Sequence, residues 1–148
     1  MEMMRRRPRW LRDEGSELIE FALVTPILIL LLAGIFDFGM MFRSYEAVTN
    51  AAREGARVGV LPGYADADVQ TRVNDYLAGS GLTGPRVINV SSLPQATGAG
   101  TFTARQVQVN YTYTFVVLGP VGSAFGGSFG TIPLRAVSVM RTEAQAAP

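Results

Sequence analysis

The chain has 148 residues, 48% of them hydrophobic, and a net charge of +1 from 13 arginines and 12 acidic residues. This length leaves room for about one small domain beside a membrane segment, which excludes a large multidomain enzyme. Lysine, histidine and cysteine are absent. Their absence excludes disulfide bonds, His or Cys metal sites, Ser-His or Cys-His catalytic pairs and GxxxxGK phosphate loops. We therefore expect no metal, no cofactor and no enzymatic activity.

The charge is unevenly divided along the chain. Residues 1–15 hold five Arg against three acidic residues, whereas residues 16–148 hold eight Arg against nine acidic residues. A short Arg-rich flank keeps its end of an apolar helix in the cytoplasm. We therefore predict an Arg-rich cytoplasmic leader over residues 1–15 and no nucleic-acid interface in the remainder.

An apolar run follows the leader. Residues 21–42 contain a single charge, Asp37, and as an α-helix they would reach about 33 Å, against a hydrocarbon core of about 30 Å. We predict a transmembrane helix over residues 16–42. It would cross a membrane once, with its N-terminus in the cytoplasm and an extracytoplasmic C-terminal domain. A cleaved secretory signal is disfavoured because the run is long and no small-x-small site follows it.

The helix is predicted to continue outside the membrane over residues 43–60, where no proline occurs and the pattern becomes amphipathic. Small residues recur there at every fourth position, Ala47, Ala51, Gly55 and Gly59. Such a stripe allows close backbone approach, either to another helix or to a sheet. The pattern leaves both partners open, the chain's own domain and another subunit.

Residues 43–148 predict a small extracytoplasmic α+β domain. A second helix is expected over residues 66–79, with Asp66 or Asp68 as its cap. Strands are expected near residues 86–93, 105–118 and 133–142, and loops over 94–101 and 119–131. The predicted fold class is α+β and membrane-anchored: a long N-terminal helix packed on a short helix and a small antiparallel sheet of about three strands.

Glu20 stands at the start of the apolar run, five residues after Gly15. A carboxylate at the bilayer centre costs about 2.5 to 3.5 kcal/mol, and less near the interface, so Glu20 benefits from a cationic partner. A cut after Gly15 would supply one, the α-ammonium of Ser16, and a helix N-terminus also favours negative charge. Without a cut, Glu20 would lie among the headgroups. The spacing alone leaves both interpretations open.

Further elements mark this segment: Glu20-Phe21, Pro26, Asp37-Phe38-Gly39 and Asn50-Ala51-Ala52-Arg53. In this combination, residues 12–60 resemble the TadE-like family of pseudopilins from tight-adherence, or Flp-type, pilus systems. The resemblance implies prepilin peptidase cleavage between Gly15 and Ser16. It also implies that an N-terminal amine, typically that of a neighbouring subunit, pairs with the carboxylate of Glu20. Glu20 and the adjacent Phe21 form the Glu-Phe pair of this assembly end.

Two further expectations concern the apolar run. Pro26 removes one helix hydrogen bond and favours a break in the helix. Asp37, Phe38 and Gly39 are expected to form the membrane-exit element. Glu17 adds a second carboxylate near the new N-terminus, and we favour Glu20 over Glu17 as the residue that pairs with the amine.

The resemblance implies a pseudopilin or minor pilin that acts in assembly of a Flp-type pilus for adherence. Its implied partners are a prepilin peptidase, other pilins and pseudopilins, and the inner-membrane assembly platform with its ATPase, besides membrane lipid. The alternative is an uncleaved single-pass protein whose small domain binds an envelope partner. An enzyme built on Asp66, Asp68 and Asp75 is disfavoured because neither His nor Cys is available for general acid-base work.

Overall fold

The computed structural model describes residues 10–97, 100–124, 126–127 and 130–142, so residues 1–9 of the predicted leader lie outside the described residues. Within this part, the chain forms three helices and three strands. In chain order they are α1 (Trp10–Gly59), α2 (Asp66–Gly79), β1 (Arg86–Thr97), β2 (Gly100–Thr114), α3 (Leu118–Ala124) and β3 (Thr131–Arg141).

Helix α1 joins the predicted transmembrane segment and its continuation into one element of 50 residues. At 1.5 Å rise per residue it extends about 75 Å. The helix continues through Pro26, which lacks the N–H that would bond the carbonyl of Ala22. The neighbouring Thr25 hydroxyl donates to the carbonyl of Phe21 at 2.6 Å. The interruption at Pro26 is therefore a missing hydrogen bond and not a helix end.

Helix α2 has the predicted bounds, and the structure distinguishes its two candidate caps. The Asp68 carboxylate accepts a hydrogen bond from the N–H of Ala65 at 2.8 Å, closing the first turn. Asp66 instead forms an ion pair with Arg105 of β2. Asp68 thus caps α2, while Asp66 joins α2 to the sheet.

The C-terminus of α2 is closed by Gly81, whose φ of 80° lies in the left-handed region. The Leu82 N–H donates to the carbonyl of Leu77 at 2.8 Å, and the Gly81 N–H to that of Ala78 at 2.9 Å. This is a Schellman ending, in which glycine takes the left-handed position without strain. It turns the chain from α2 toward β1.

The three strands form an antiparallel meander in the order β1-β2-β3. Val107 of β2 lies opposite Val90 of β1 and Ser138 of β3, which sets the register. The alternation predicted for the middle strand is present, because its inward side chains are buried: Val107, Val109, Tyr111 and Tyr113. The sheet therefore has one face on the core.

Two expectations for this half were wrong in detail. The predicted loop over residues 94–101 is largely strand, because β1 and β2 pair as far as Thr97 and Gly100. Pro94 is tolerated there because β1 is an edge strand. The predicted middle strand does not reach residue 118, since β2 ends at Thr114 and α3 begins at Leu118, inside what was expected to be strand and then loop.

A hydrophobic core lies between the C-terminal half of α1, helix α2 and the inner face of the sheet. Among its buried members are Val48, Ala51, Ala52 and Ala56 of α1, Val69, Val73 and Leu77 of α2, and Val107, Val109, Leu134 and Ala136 of the sheet. The α+β class is confirmed: a long helix packs on a shorter helix and a three-stranded antiparallel sheet.

The small-residue stripe of α1 faces this core. Ala51, Gly55 and Gly59 are buried and Ala47 is half-buried. A Cβ on Gly55 would lie 2.5 Å from Cγ2 of Val73 and 3.3 Å from Cγ1 of Val107, so α2 and β2 approach α1 closely there. Of the two partners left open by the sequence, the chain's own domain occupies the stripe.

Helix α1 has two unlike halves. In the bare half, residues 15–32, every residue is exposed except the half-buried Thr25. In the packed half, residues 33–59, contact with the core begins at Ala33. Within the described chain, α1 alone is long and apolar enough to cross a membrane, and none of its most apolar stretch is buried in the protein.

Candidate functional site

The residues predicted for cleavage and assembly lie on the exposed turns at the start of the bare half. Gly15, Ser16, Glu20 and Phe21 are all exposed, and the helix continues through the Gly15-Ser16 peptide bond. Glu17 lies three residues from Glu20 and therefore on the same side of the helix. Among the described side chains, neither glutamate has an ion-pair partner. Both carboxylates are thus accessible to a cation.

Asp37 occupies a different environment from these glutamates. It is 0% exposed, and its carboxylate accepts hydrogen bonds from three consecutive backbone N–H groups. The distances are 3.1 Å from Val116, 3.1 and 3.0 Å from Val117, and 2.6 Å from Leu118. These residues lead into α3. Asp37 of α1 therefore caps the N-terminus of α3 across about eighty residues of chain.

This cap provides a physical account of α3. Helix N-termini leave backbone N–H groups without partners, and a carboxylate satisfies them and interacts favourably with the helix dipole. Pro120, in the first turn of α3, has no N–H to satisfy. In return, the three donors compensate the cost of burying the Asp37 charge. The cap and α3 depend on each other.

Aromatic contacts join the same region to β2. The Tyr113 hydroxyl donates to the backbone carbonyl of Asp37 at 3.3 Å. Phe115 makes edge-to-face contacts with Tyr113 and with Phe38 of α1, at centroid distances of 5.7 and 6.1 Å. Burial raises the pKa of Tyr113, and the charge of Asp37 and the neighbouring Tyr111 raise it further. These contacts attach the end of β2 to α1.

The three residues of the predicted membrane-exit element play unequal parts within the chain. Asp37 caps α3, and Phe38 contacts Phe115 but remains 49% exposed. A Cβ on Gly39 would meet no atom within 4 Å. Gly39 therefore has no packing role in this chain, and only Asp37 is fully engaged by the domain.

The domain also reaches further along α1 than the predicted span suggests. Contact with the core begins at Ala33, whereas the span was predicted to continue to residue 42. The bare half holds 18 residues and extends about 27 Å, close to the thickness of a hydrocarbon core. The last ten residues of the predicted span, 33–42, therefore lie beside the folded domain.

Sequence reasoning missed the partners of Asp37. They are the backbone N–H groups of residues 116–118, which were expected to end the middle strand, and a backbone donor has no residue-type signature. The signal in the sequence was Asp37 itself, because a carboxylate inside an apolar run needs hydrogen-bond donors. Nothing in the local pattern places those donors some eighty residues later.

The three aspartates considered for catalysis are not gathered in one site, because Asp66 does not line the open cavity of about 400 Å³ that Asp68 and Asp75 line. Asp66 pairs with Arg105, whereas Asp68 caps α2. Among the described residues, no group of three or more His, Cys, Asp or Glu side chains could hold a metal ion. The expectation of no enzymatic activity remains a prediction.

The fold and this site define a class: an α+β protein built on one long helix, whose N-terminal half is bare and apolar and whose buried Asp37 fixes the domain at the other half. Within that class, residues 15–57 match the family model described as TadE-like protein. The match confirms the resemblance inferred from the motifs of α1. No curated protein and no solved structure matches the chain.

The matched residues run from the predicted cleavage residue, Gly15, almost to the end of α1. Helices α2 and α3 and the sheet lie outside the match. At the level of the family, the match supports an involvement in a Tad, or Flp-type, pilus system.

Proposed function

We propose that this chain is a pseudopilin or minor pilin, matured by a prepilin peptidase after Gly15, that acts in assembly of a Flp-type pilus for adherence. One observation carries the proposal: the segment matched by the TadE-like family begins at Gly15 and coincides with a bare apolar helix that projects from a small domain. The protein would insert through this helix, with the leader in the cytoplasm and the domain outside.

The exposed side chains of the bare half support this role. Large apolar residues point in all directions around the helix, including Leu18, Phe21, Ile27 and Leu32. A helix that is apolar all round needs an apolar environment on every side. Lipid provides one before assembly, and the equivalent helices of other subunits provide one afterwards. The same surface can therefore serve both states.

The geometry at Glu20 supports pairing with the amine created by cleavage. Glu20 lies four residues after Ser16, one turn later on the same face, about 6 Å along the axis. Helical side chains point toward the N-terminus, so the Glu20 carboxylate is directed toward this end. The exposed position of Glu20 lets it reach its own amine or that of a neighbouring subunit.

The cleavage site itself lies within helical backbone. Gly15 costs a helix about 1 kcal/mol relative to alanine, which makes this turn easier to open for a protease. The surroundings of this peptide bond are also open, since a Cβ on Gly15 would meet no atom within 4 Å. The remaining proposed partners are other pilins and pseudopilins, the assembly platform and its ATPase. No catalytic role is proposed for this chain.

Intact mass spectrometry of the membrane-extracted protein tests maturation. In cells with an active prepilin peptidase, the mass should correspond to a chain that starts at Ser16. The Gly15→Leu variant is the matched control and should retain the leader. A wild-type chain that starts at Met1 under these conditions would contradict the proposal and favour the uncleaved, partner-binding alternative.

Charge-neutral variants separate maturation from assembly. Glu20→Gln should be cleaved but should lower the amount of surface pilus, because the carboxylate that pairs with the amine is lost. Glu17→Gln, on the same face of the helix, is the control and should have the smaller effect. Equal pilus amounts in wild type and Glu20→Gln, measured by shearing and immunoblotting, would count against the role of Glu20.

A further inference from the structure

Helix α3 lies beside the bare half of α1, at the level of the proposed membrane span. A groove of about 510 Å³ separates the two helices. Val117 and Val121 form one wall. The other wall is formed by residues of α1 between Phe21 and Ala33. An element of the C-terminal domain is thus placed along the segment that a bilayer would surround.

The composition around α3 suits that position. Residues 106–134 contain no charged residue. Ser123 has the one polar side chain in α3, and its hydroxyl donates to the carbonyl of Pro120 at 2.7 Å. Just before α3, Val116 is 57% exposed. An uncharged surface with an internally bonded hydroxyl can enter hydrocarbon at low cost.

The backbone at the start of α3 is also adapted to an apolar solvent. Lipid offers no hydrogen bonds, so backbone groups inside a bilayer need partners from the protein. The Asp37 carboxylate provides partners for the N–H groups of Val116, Val117 and Leu118. The Val121 N–H donates to the carbonyl of Val117 at 3.2 Å. The cap and this bond thus provide acceptors for four of the backbone N–H groups around the first turn of α3.

We propose that α3 and residues 116–117 are immersed in the extracytoplasmic leaflet, and that a phospholipid acyl chain fills the groove between α3 and α1. The occupant follows from continuity: the groove opens beside residues 21–33, so the lipid that surrounds this part of the span also reaches the groove. The inference rests on the membrane span of the proposed function. Asp37, five residues beyond the bare half, then lies at the membrane boundary about 7 Å past residue 32, where the backbone N–H groups at the start of α3 satisfy its carboxylate.

Single-cysteine labelling tests this placement, since the natural chain has no cysteine. The variants Val116→Cys and Val121→Cys report on α3 and the groove. Val137→Cys, on the outer face of the sheet, is the water-exposed control, and Ile29→Cys is the control for the span. Each full-length protein carries an environment-sensitive fluorophore. It is reconstituted into phosphatidylethanolamine-phosphatidylglycerol vesicles with nitroxide lipids labelled near the top of the acyl chain.

At Val116 and Val121 we expect the nitroxide lipids to remove most of the fluorescence and aqueous iodide to remove little. At Val137, iodide should remove most of the fluorescence and the nitroxide lipids should remove little. Unfolding midpoints of the labelled and unlabelled proteins verify that the domain is intact, and Val116 provides the second site if the label at Val121 disturbs packing.

Two results would overturn the proposal. If Ile29 is quenched by the nitroxide lipids but Val116 and Val121 respond to iodide as Val137 does, α3 lies in water although the span is inserted. If Val116 and Val121 are shielded from both quenchers, and only at a high protein-to-lipid ratio, a second copy of the chain covers the groove. Failure at Ile29 is distinguishable from both, because it would remove the membrane span of the proposed function itself.

Discussion

The two halves of α1 belong to one continuous helix, but their apolar side chains have different surroundings. The bare half exposes large apolar side chains on every face, whereas the packed half buries a stripe of mostly small ones. The first turns of the packed half still expose Ile35, Phe36 and Phe42, and from Arg43 onward its outer faces carry charged side chains such as Arg53 and Arg57. The bare half therefore depends on a solvent that the protein does not provide, and the packed half is stabilised by its own domain. The apolar side chains of the bare half therefore require an apolar environment outside the protein, whereas those of the packed half stabilise the fold of the domain.

Asp37 lies near the junction between these halves. The domain begins to contact α1 at Ala33, and the Asp37 carboxylate fixes the N-terminus of α3 there. Asp37, the single charge in the apolar run, thus attaches α3 to α1. The following predictions test the division into halves, from the largest expected effect to the smallest.

Removal of the Asp37 carboxylate should have the largest effect. Asp37→Ala leaves the N–H groups of Val116, Val117 and Leu118 without their acceptor, and we expect a loss of about 3 kcal/mol in unfolding free energy. Asp37→Asn keeps one acceptor oxygen and should lose roughly half as much. Urea unfolding in detergent micelles, followed by near-UV circular dichroism, provides the measurement. Equal stability of Asp37→Ala and wild type would exclude the capping role.

A glycine-to-alanine pair should give opposite signs in the core of the packed half and at its start, next to the bare half. Gly55→Ala places a Cβ 2.5 Å from Cγ2 of Val73, so α1 must shift, and we expect a loss of about 2 kcal/mol. Gly34→Ala meets no atom within 4 Å and should be neutral or gain up to about 1 kcal/mol from helix propensity. The same unfolding experiment compares them. Two losses of equal size would mean that the start of the packed half is packed as closely as its core.

Truncation of an apolar side chain should depend on which half holds it. Val48→Ala removes two methyl groups from a side chain that is 0% exposed and should cost about 2 kcal/mol. Ile27 is 66% exposed, so Ile27→Ala should leave the domain's unfolding free energy unchanged. Its effect should appear instead as weaker retention in vesicles during alkaline extraction. A stability loss at Ile27 would indicate packing that the bare half lacks.

The decrease in unfolding free energy at alkaline pH should depend on Tyr113. Because burial and Asp37 raise the pKa of Tyr113, the folded state holds this proton more tightly than the unfolded state. Its contribution is complete below the ordinary tyrosine pKa of about 10 and is lost as the pH rises through the raised pKa. Tyr113→Phe should lose about 1 kcal/mol at neutral pH, from the hydrogen bond to Asp37. Above pH 10 its stability should fall less steeply than that of wild type, in parallel titrations of unfolding free energy.

Local patterns were sufficient for much of the architecture. The bounds of α2 follow from an apolar stripe between an acidic cap and Gly81, and the middle strand follows from alternation around Val107. These elements repeat a period that the backbone geometry imposes, so the residues that specify them are close in sequence. The motifs of α1 belong to the same category, and the match over residues 15–57 confirms their reading.

Helix α3 could not be predicted from a local sequence pattern. Its seven residues include Gly119, Pro120 and Gly122, which disfavour a helix in isolation. The helix exists because a carboxylate of α1 satisfies its first N–H groups. The extent of the span depends on the same contact, since hydropathy predicts an apolar run to residue 42 but does not reveal where the domain begins to touch it.

The sequence by itself determined the apolar half of α1 and the class of the domain, because these depend on composition and period along the chain. The family resemblance of its motifs supplied the candidate cleavage and pairing residues, Gly15 and Glu20. Only the tertiary structure decided three further points: that Asp37 caps α3, that the small-residue stripe packs on the chain's own domain, and that α3 lies beside the bare half of α1. All three are contacts between segments distant in sequence. Such contacts depend on which backbone groups and surfaces the fold brings together, and no local pattern records them.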